Sequence, residues 1–233
     1  MDWPIPRTAL RPLLAALLLA MMACKSAPPA ADTPTSERGS TQQLAADAAP
    51  APFDYYLLSL SWAPNFCADH RGPATECAPG RHVSFVLHGL WPQMEQGRPQ
   101  EHCQHTSPVA SDVVRYALNF YPSAGLIRHE WECHGINTGL SAGDYFTAAG
   151  HAFQQLKVPD SFASLAADTR MDTAGLARQF EQVNSAPANS FVTTCHDGEL
   201  VGVEACFTRD LRLRPCAPSL RSCSGTLLLR APR

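Results

Sequence analysis

His82-Val83-Ser84-Phe85-Val86-Leu87-His88-Gly89-Leu90-Trp91-Pro92 is the stretch from which the rest of the chain can be read outward. Val83, Phe85 and Leu87 recur at every second position, the period of a half-buried strand, and Gly89 and Pro92 interrupt the run. The pattern predicts a strand over His82 to His88, with the histidine at its end facing a loop. Upstream, Tyr55-Tyr56-Leu57-Leu58-Ser59-Leu60-Ser61-Trp62 forms a second aromatic and aliphatic run, stopped by Ala63-Pro64. Downstream the period lengthens to that of helices. These are expected over Ser111 to Asn119, Ile127 to His134 (closed by Gly135), Asp144 to Gln155 and Thr173 to Val183. Strand-like runs return at Ser190 to Thr194, Leu200 to Phe207 and Thr226 to Leu229. Strands first, helices in the middle and strands last imply an α+β fold, a central and largely antiparallel sheet flanked by helices.

That domain is expected to span residues 53–233. Residues 1–24 read as an export signal: Arg7 and Arg11 precede an uncharged apolar run, Leu13 to Ala20, too short for a membrane span of about 20 residues. Its end, Met21-Met22-Ala23-Cys24, is similar to a bacterial lipoprotein cleavage box. Lipidation of Cys24 would attach the chain to a membrane; ordinary signal cleavage near Ala23 is the alternative. Residues 25–52 are rich in Ala and Pro with almost no bulky apolar side chain. They cannot offset their ordering entropy by burial and are expected to form a disordered tether. The expected location is therefore outside the cytoplasm. It would be the periplasm or cell envelope, including an outer-membrane-anchored lipoprotein, or the extracellular medium.

The chain has nine cysteines. Without Cys24, eight remain, and in an oxidising compartment they read as four disulfides whose pairing the spacing leaves open. The formal charge is −3. A protein that grips long nucleic acid through many phosphates would be basic, so any nucleic-acid chemistry here should involve a short segment in a cleft. The C-terminal arginines, Arg209, Arg212, Arg214, Arg221, Arg230 and Arg233, read as a solvated surface. No obligate protein partner is evident.

Two segments carry chemistry. The first is His88 with the backbone-pinning Gly89 and Pro92 behind it. The second is His129-Glu130-Trp131-Glu132-Cys133-His134-Gly135. On a helix at about 100° per residue, Glu130 and His134 share a face, where the carboxylate would hold the imidazole and favour its protonated form. His129 and Cys133 form the neighbouring stripe. A zinc-peptidase helix needs two histidines four apart with the glutamate between them. Here they are five apart, about 140° around a helix, and one zinc could not reach both without distortion. No metal and no cofactor are expected. Three histidines and a glutamate without an obvious nucleophile suit phosphoryl transfer on RNA, which brings its own 2′-hydroxyl. One imidazole would remove that proton and another would protonate the departing 5′-oxygen.

His88-Gly89-Leu90-Trp91-Pro92 and His129-Glu130-Trp131-X-X-His134-Gly135 together resemble the two active-site segments of the ribonuclease T2 family. Leu58-Ser59-Leu60-Ser61-Trp62-Ala63-Pro64-Asn65-Phe66-Cys67 resembles its first strand. Gly139-Leu140-Ser141-Ala142-Gly143-Asp144-Tyr145-Phe146 is similar to the segment that follows the second motif in bacterial members. The resemblance implies a disulfide-stapled α+β fold and metal-independent endonucleolytic cleavage of single-stranded RNA through 2′,3′-cyclic phosphates. By position it makes His88 the general acid, His134 the general base, Glu130 a support for the transition state and His129 a phosphate ligand. Trp91 would stack on a base and Gln93 would read one. The bland alternatives are core packing for Trp91 and a solvated loop for Gln93.

The chain departs from the family at Cys133, where a lysine is usual, and at Asn137, where a cysteine is usual. We infer a linked change in which Cys133 pairs with Cys103; a free buried thiol is the alternative. The resemblance also implies Cys67–Cys77, Cys195–Cys223 and Cys206–Cys216. Without the lysine, the transition state lacks a cation unless Arg128 or another arginine reaches in. Loss of one such electrostatic contact can slow a reaction by ~10²–10³. A catalytically weakened RNA- or protein-binding envelope protein is therefore the alternative function.

Overall fold

The computed structural model describes residues 53–69, 75–78, 80–96 and 103–232. The expected export signal, Cys24 and the expected tether lie outside the described residues. The chain opens with β1 (Tyr55–Trp62) and α1 (Ala63–Asp69), then β2 (Phe85–Gln93). Four helices follow: α2 (Ser111–Ala117), α3 (Ala124–Cys133), α4 (Ala142–Gln155) and α5 (Asp160–Ala163). β3 (Thr169–Asp172) and α6 (Thr173–Val183) lead into β4 (Phe191–His196), β5 (Glu199–Phe207) and β6 (Thr226–Leu229).

All six strands join one sheet in the order β2-β1-β5-β6-β3, with β4 paired to β5. Pairing is antiparallel apart from one parallel contact between β5 and β6, Glu199 with Leu228. β1 is covered on both faces, by the main core and by a smaller cluster, which explains why its sequence is apolar almost throughout rather than alternating. Leu58, Leu60 and Trp62 join Phe85, Leu87 and Leu90 in the main core, together with Ile127, Tyr145, Phe146, Phe162 and Phe180 from the helices. Tyr55 and Leu57 point the other way and form a smaller cluster with Cys206 and Ala217, against which Trp91 packs.

The first strand stops at Ala63-Pro64 as read, and an unexpected helix, α1, begins there, since proline's fixed φ and missing N–H suit a first helical turn. Several other boundaries differ from the sequence reading. α3 starts at Ala124 because Ser123 caps it, its side chain accepting from the Leu126 N–H at 3.1 Å. The short α5 and β3 carry too few residues to show a period. The second strand begins at Phe85 rather than His82 and continues through Gly89 to Gln93. It survives the glycine because it holds a bulge: Ser59 pairs with Gly89 and Leu60 with Leu87, leaving His88 unpaired. The extra residue rephases the strand, so Leu87 and Leu90, three apart, both enter the main core.

Asn65 fastens α1 across the sheet. Buried at 5% exposure, its side-chain amide donates to the Leu200 and Leu228 carbonyls, each at 2.9 Å, and its oxygen accepts from the Arg230 N–H at 2.9 Å. Four disulfides reinforce the frame: Cys67–Cys77, Cys103–Cys133, Cys195–Cys223 and Cys206–Cys216. Asn65→Ala would strand two carbonyls and an amide, and buried unpaired polar groups cost about 1–3 kcal/mol each. We expect the variant to lose at least ~2 kcal/mol in urea unfolding. An unchanged midpoint would mean that water replaces the amide.

Candidate active site

The bulge aims His88. Its Nδ1 shares a hydrogen bond with Ser61 Oγ at 3.0 Å, and its Nε2 lies 3.8 Å from Glu130 Oε1. Glu130 comes from the last turn of α3 and is fully buried. Its other oxygen accepts from the Trp91 indole N–H at 2.9 Å. The carboxyl sits directly on the bare backbone of Gly89: a Cβ there would stand 1.9 Å from Glu130 Oε2. Glycine is needed here for space, not for an unusual backbone angle. From α4, the Tyr145 hydroxyl donates to the Leu90 carbonyl at 3.0 Å, anchoring the same stretch of β2 from behind.

His134 completes the cluster. It caps α3 with φ −126° and ψ −55°, outside the helical region. Its ring stacks on Trp91 at 5.2 Å between centroids and 29° between planes, while His88 meets Trp91 edge-on at 5.5 Å. The two imidazoles, 46 residues apart in sequence, thus flank one indole. His129 is exposed, its ring 6.1 Å from that of His134, and its Nδ1 lies 3.5 Å from Cys133 Sγ.

Burial dominates the electrostatics. It pushes the Glu130 carboxyl up to about 8 despite the Trp91 hydrogen bond, which acts in the opposite direction. Burial, with repulsion from His129 and His88, brings His134 down to about 4. His88 is lowered by burial and then by His129. The expectation that Glu130 would favour a protonated His134 is therefore corrected. His134 leaves the helical spiral at its cap position, and Glu130, whose carboxyl burial keeps protonated, offers it no negative charge. Glu130 Oε1 is left buried with no hydrogen-bond partner among the described residues.

The same departure from helical geometry undoes the argument from five-residue spacing. One ligand atom each from His129, Glu130 and His134 lies within 4.8 Å of the others, a set able to hold a metal ion. Arg128 is exposed on α3, and Glu130's ion-pair partner among the described residues is His88. Gln93 is not in a solvated loop; it is the buried last residue of β2, paired with Tyr55. Trp91 is half-buried, engaged by both His134 and Glu130. Beyond His88 opens a groove of about 730 Å³, lined by apolar side chains such as Phe66, Val86, Leu126 and Val201 and equally by polar ones such as Glu76, His196 and Glu199. Sequence reasoning missed it, because its walls come from separate elements that no local pattern connects.

Residues 53–216 match the model of the ribonuclease T2 family. The chain belongs to that family. The T2 chain is 40% identical over 107 residues to a ribonuclease of Aeromonas hydrophila, covering 46% of this chain and 48% of that one. It is 34% identical over 126 residues to a probable ribonuclease of Haemophilus influenzae, covering 48% and 46%. It spans about half the length of these curated relatives. Among solved structures, the S-like ribonuclease trichomaglin superposes with a TM-score of 0.64 at 19% identity, over 78% of the T2 chain and 99% of trichomaglin. An RNase-related protein from Calystegia sepium gives 0.63 at 18%, over 78% and 98%. These two likenesses establish the shared fold.

Because the Glu130 carboxyl fills the space a Cβ would need, Gly89→Ala must displace it or the strand. Overpacking of this kind typically costs about 1–3 kcal/mol. Thermal unfolding of the T2 chain and its variant should register that loss, and an unchanged Tm would show that Glu130 has room to withdraw.

Proposed function

We propose that the chain is an endoribonuclease that cleaves single-stranded RNA by transphosphorylation, using its imidazoles and no metal. The observation that carries this reading is that the rings of His88 and His134 both meet Trp91 and both imidazoles have a nitrogen near the Glu130 carboxyl. Family membership and the named ribonuclease relatives support it, as does a fold neighbour, RNase NT, whose crystal structure is of a complex with 5′-AMP. His134, held neutral by burial, takes the proton of the substrate's 2′-hydroxyl. That oxygen bonds to the adjacent phosphorus, the bond from phosphorus to the 5′-oxygen breaks, and His88 gives its proton to the leaving oxygen. The product is a 2′,3′-cyclic phosphate. Glu130, kept protonated to about pH 8, can donate to a non-bridging oxygen, and His129 stands at the exposed edge as a phosphate ligand. Trp91 and Gln93 are assigned to base binding. In this reading the chain is exported and works in the periplasm, the cell envelope or the medium, with Cys24 as the site of lipid attachment.

The test is to incubate oxidised full-length protein with single-stranded RNA in excess chelator. We expect cyclic phosphate termini, and a loss of ~10²–10⁴ in rate for His88→Ala or His134→Ala. RNA bound but left intact, or activity abolished by the chelator, would overturn the reading. The pH profile follows from the displaced imidazoles. The acid must be protonated, so activity falls as pH rises through the lowered range of His88. The base must be neutral, so it falls again as pH drops through about 4, where His134 gains its proton. Initial rates should therefore peak in mildly acidic buffer, and a maximum above neutrality would contradict this assignment of roles.

A further inference from the structure

We propose that Ser61 is a positioning residue for proton delivery, holding the His88 ring so that its transferable proton sits on Nε2. The catalytic consequence rests on the ribonuclease reading above; the hydrogen bond itself does not. An imidazole has two nitrogens, and which of them carries the proton is set by what the other one bonds. The bulge that leaves His88 unpaired sets its ring beside β1. There Ser61, paired with Val86 on one side and Gly202 on the other, brings its Oγ to 3.0 Å from His88 Nδ1. Among the described residues neither atom has another hydrogen bond.

The other neighbours of the ring do not supply this control. Glu130 Oε1 lies 3.8 Å from Nε2, beyond hydrogen-bond reach, and burial leaves that carboxyl protonated to about pH 8. Trp91 meets the ring edge-on, and His129 and His134 repel its charge. Glu76, His196, Asp197 and Glu199 line the groove beyond it. A serine hydroxyl suits the task because it accepts the Nδ1–H without taking the proton. In the charged ring both nitrogens are donors. Nδ1–H goes to Ser61, and Nε2–H points to the side of Glu130, where the ribonuclease reading places the phosphate. As the bond from phosphorus to the 5′-oxygen breaks, the Nε2–H bond breaks with it and the oxygen gains the proton. The ring is left neutral and still bonded to Ser61 through Nδ1–H, and a proton from solvent restores Nε2–H. Without the hydroxyl no group fixes which nitrogen carries the proton, and fewer encounters present an acid to the leaving oxygen.

The experiment compares the oxidised full-length chain with Ser61→Ala and Ser61→Thr on two substrates, a single-stranded oligoribonucleotide and a nucleoside 3′-(4-nitrophenyl phosphate). Nitrophenolate departs without a proton, so only the first substrate needs the acid. On RNA, Ser61→Ala is expected to lower kcat by ~10–100-fold, part of the ~10²–10⁴ that a placed acid contributes, with KM within about two-fold. On the aryl ester its rate should stay within about three-fold, which also shows that the variant folds. Threonine keeps the hydroxyl and should restore RNA cleavage to within about three-fold. Nitrogen-15 NMR of the His88 ring adds a readout without turnover. The neutral ring should carry its proton on Nδ1 in the parent chain and shift towards Nε2 in Ser61→Ala. Equal losses on both substrates, no loss on either, or a neutral parent ring with its proton on Nε2 would overturn the proposal. A parent chain that cleaves neither substrate yet shows Ser61-dependent Nδ1–H would fell the ribonuclease reading and leave the positioning of the ring standing.

Discussion

One carboxyl resting on one glycine holds this site together. Glu130 leaves α3 and meets β2 where Gly89 has no side chain, and the Trp91 indole holds it by a single hydrogen bond. A carboxylate taken from water without a cation is among the costlier groups a fold can bury. The protein meets that cost by leaving the group protonated to about pH 8 and by anchoring the strand from the other side through Tyr145. Helix, bulge and indole are thereby fixed relative to each other, and the two imidazoles take their places around them.

The second constraint is the end of α3. Had the helix continued through His134, the ring would lie beside Glu130 as a simple i, i+4 partner. The cap conformation swings it onto Trp91 instead and brings its donor atom near those of Glu130 and His129. The Cys103–Cys133 bridge grips the turn next to this break, and the Gln104 N–H donates to the Glu132 carbonyl at 2.8 Å. The last turn is thus tied to a segment well before it in sequence, which keeps a non-helical cap in one place.

How much of this was legible in the sequence depended on the range of the signal. β1 was readable because its dense apolar run reflects a strand buried on both faces. Four of the helices were readable from their period, apart from starts set by caps such as Ser123, whereas the short α1 and α5 were not. The Asp197-Gly198 turn between β4 and β5, with φ of 48° and 77°, carried a hairpin signal that the sequence reading did not use. His88, Glu130, His129 and His134 were singled out and lie together, but Ser61, which bonds His88, was not, and the geometry was hidden. Ideal helical angles kept His129 and His134 too far apart to share a ligand, and a single cap residue brings their donor atoms within 4.8 Å. The β-bulge was equally hidden, since the glycine that looked like a strand end is the residue that lets the strand carry on beneath a carboxyl.

That bulge also makes the segment sensitive to length in a way composition does not reveal. Leu87 and Leu90 share the core only because one residue too many lies between them for a regular pleat. Delete a residue there and the two leucines fall two apart, a regular pleat that keeps both in the core but has no unpaired residue left to carry an imidazole. The strand would be more regular, and the site would lose the residue it displays. Evolution and engineering are free to exchange side chains along this strand, but between Ser84 and Gln93 they must keep the extra one.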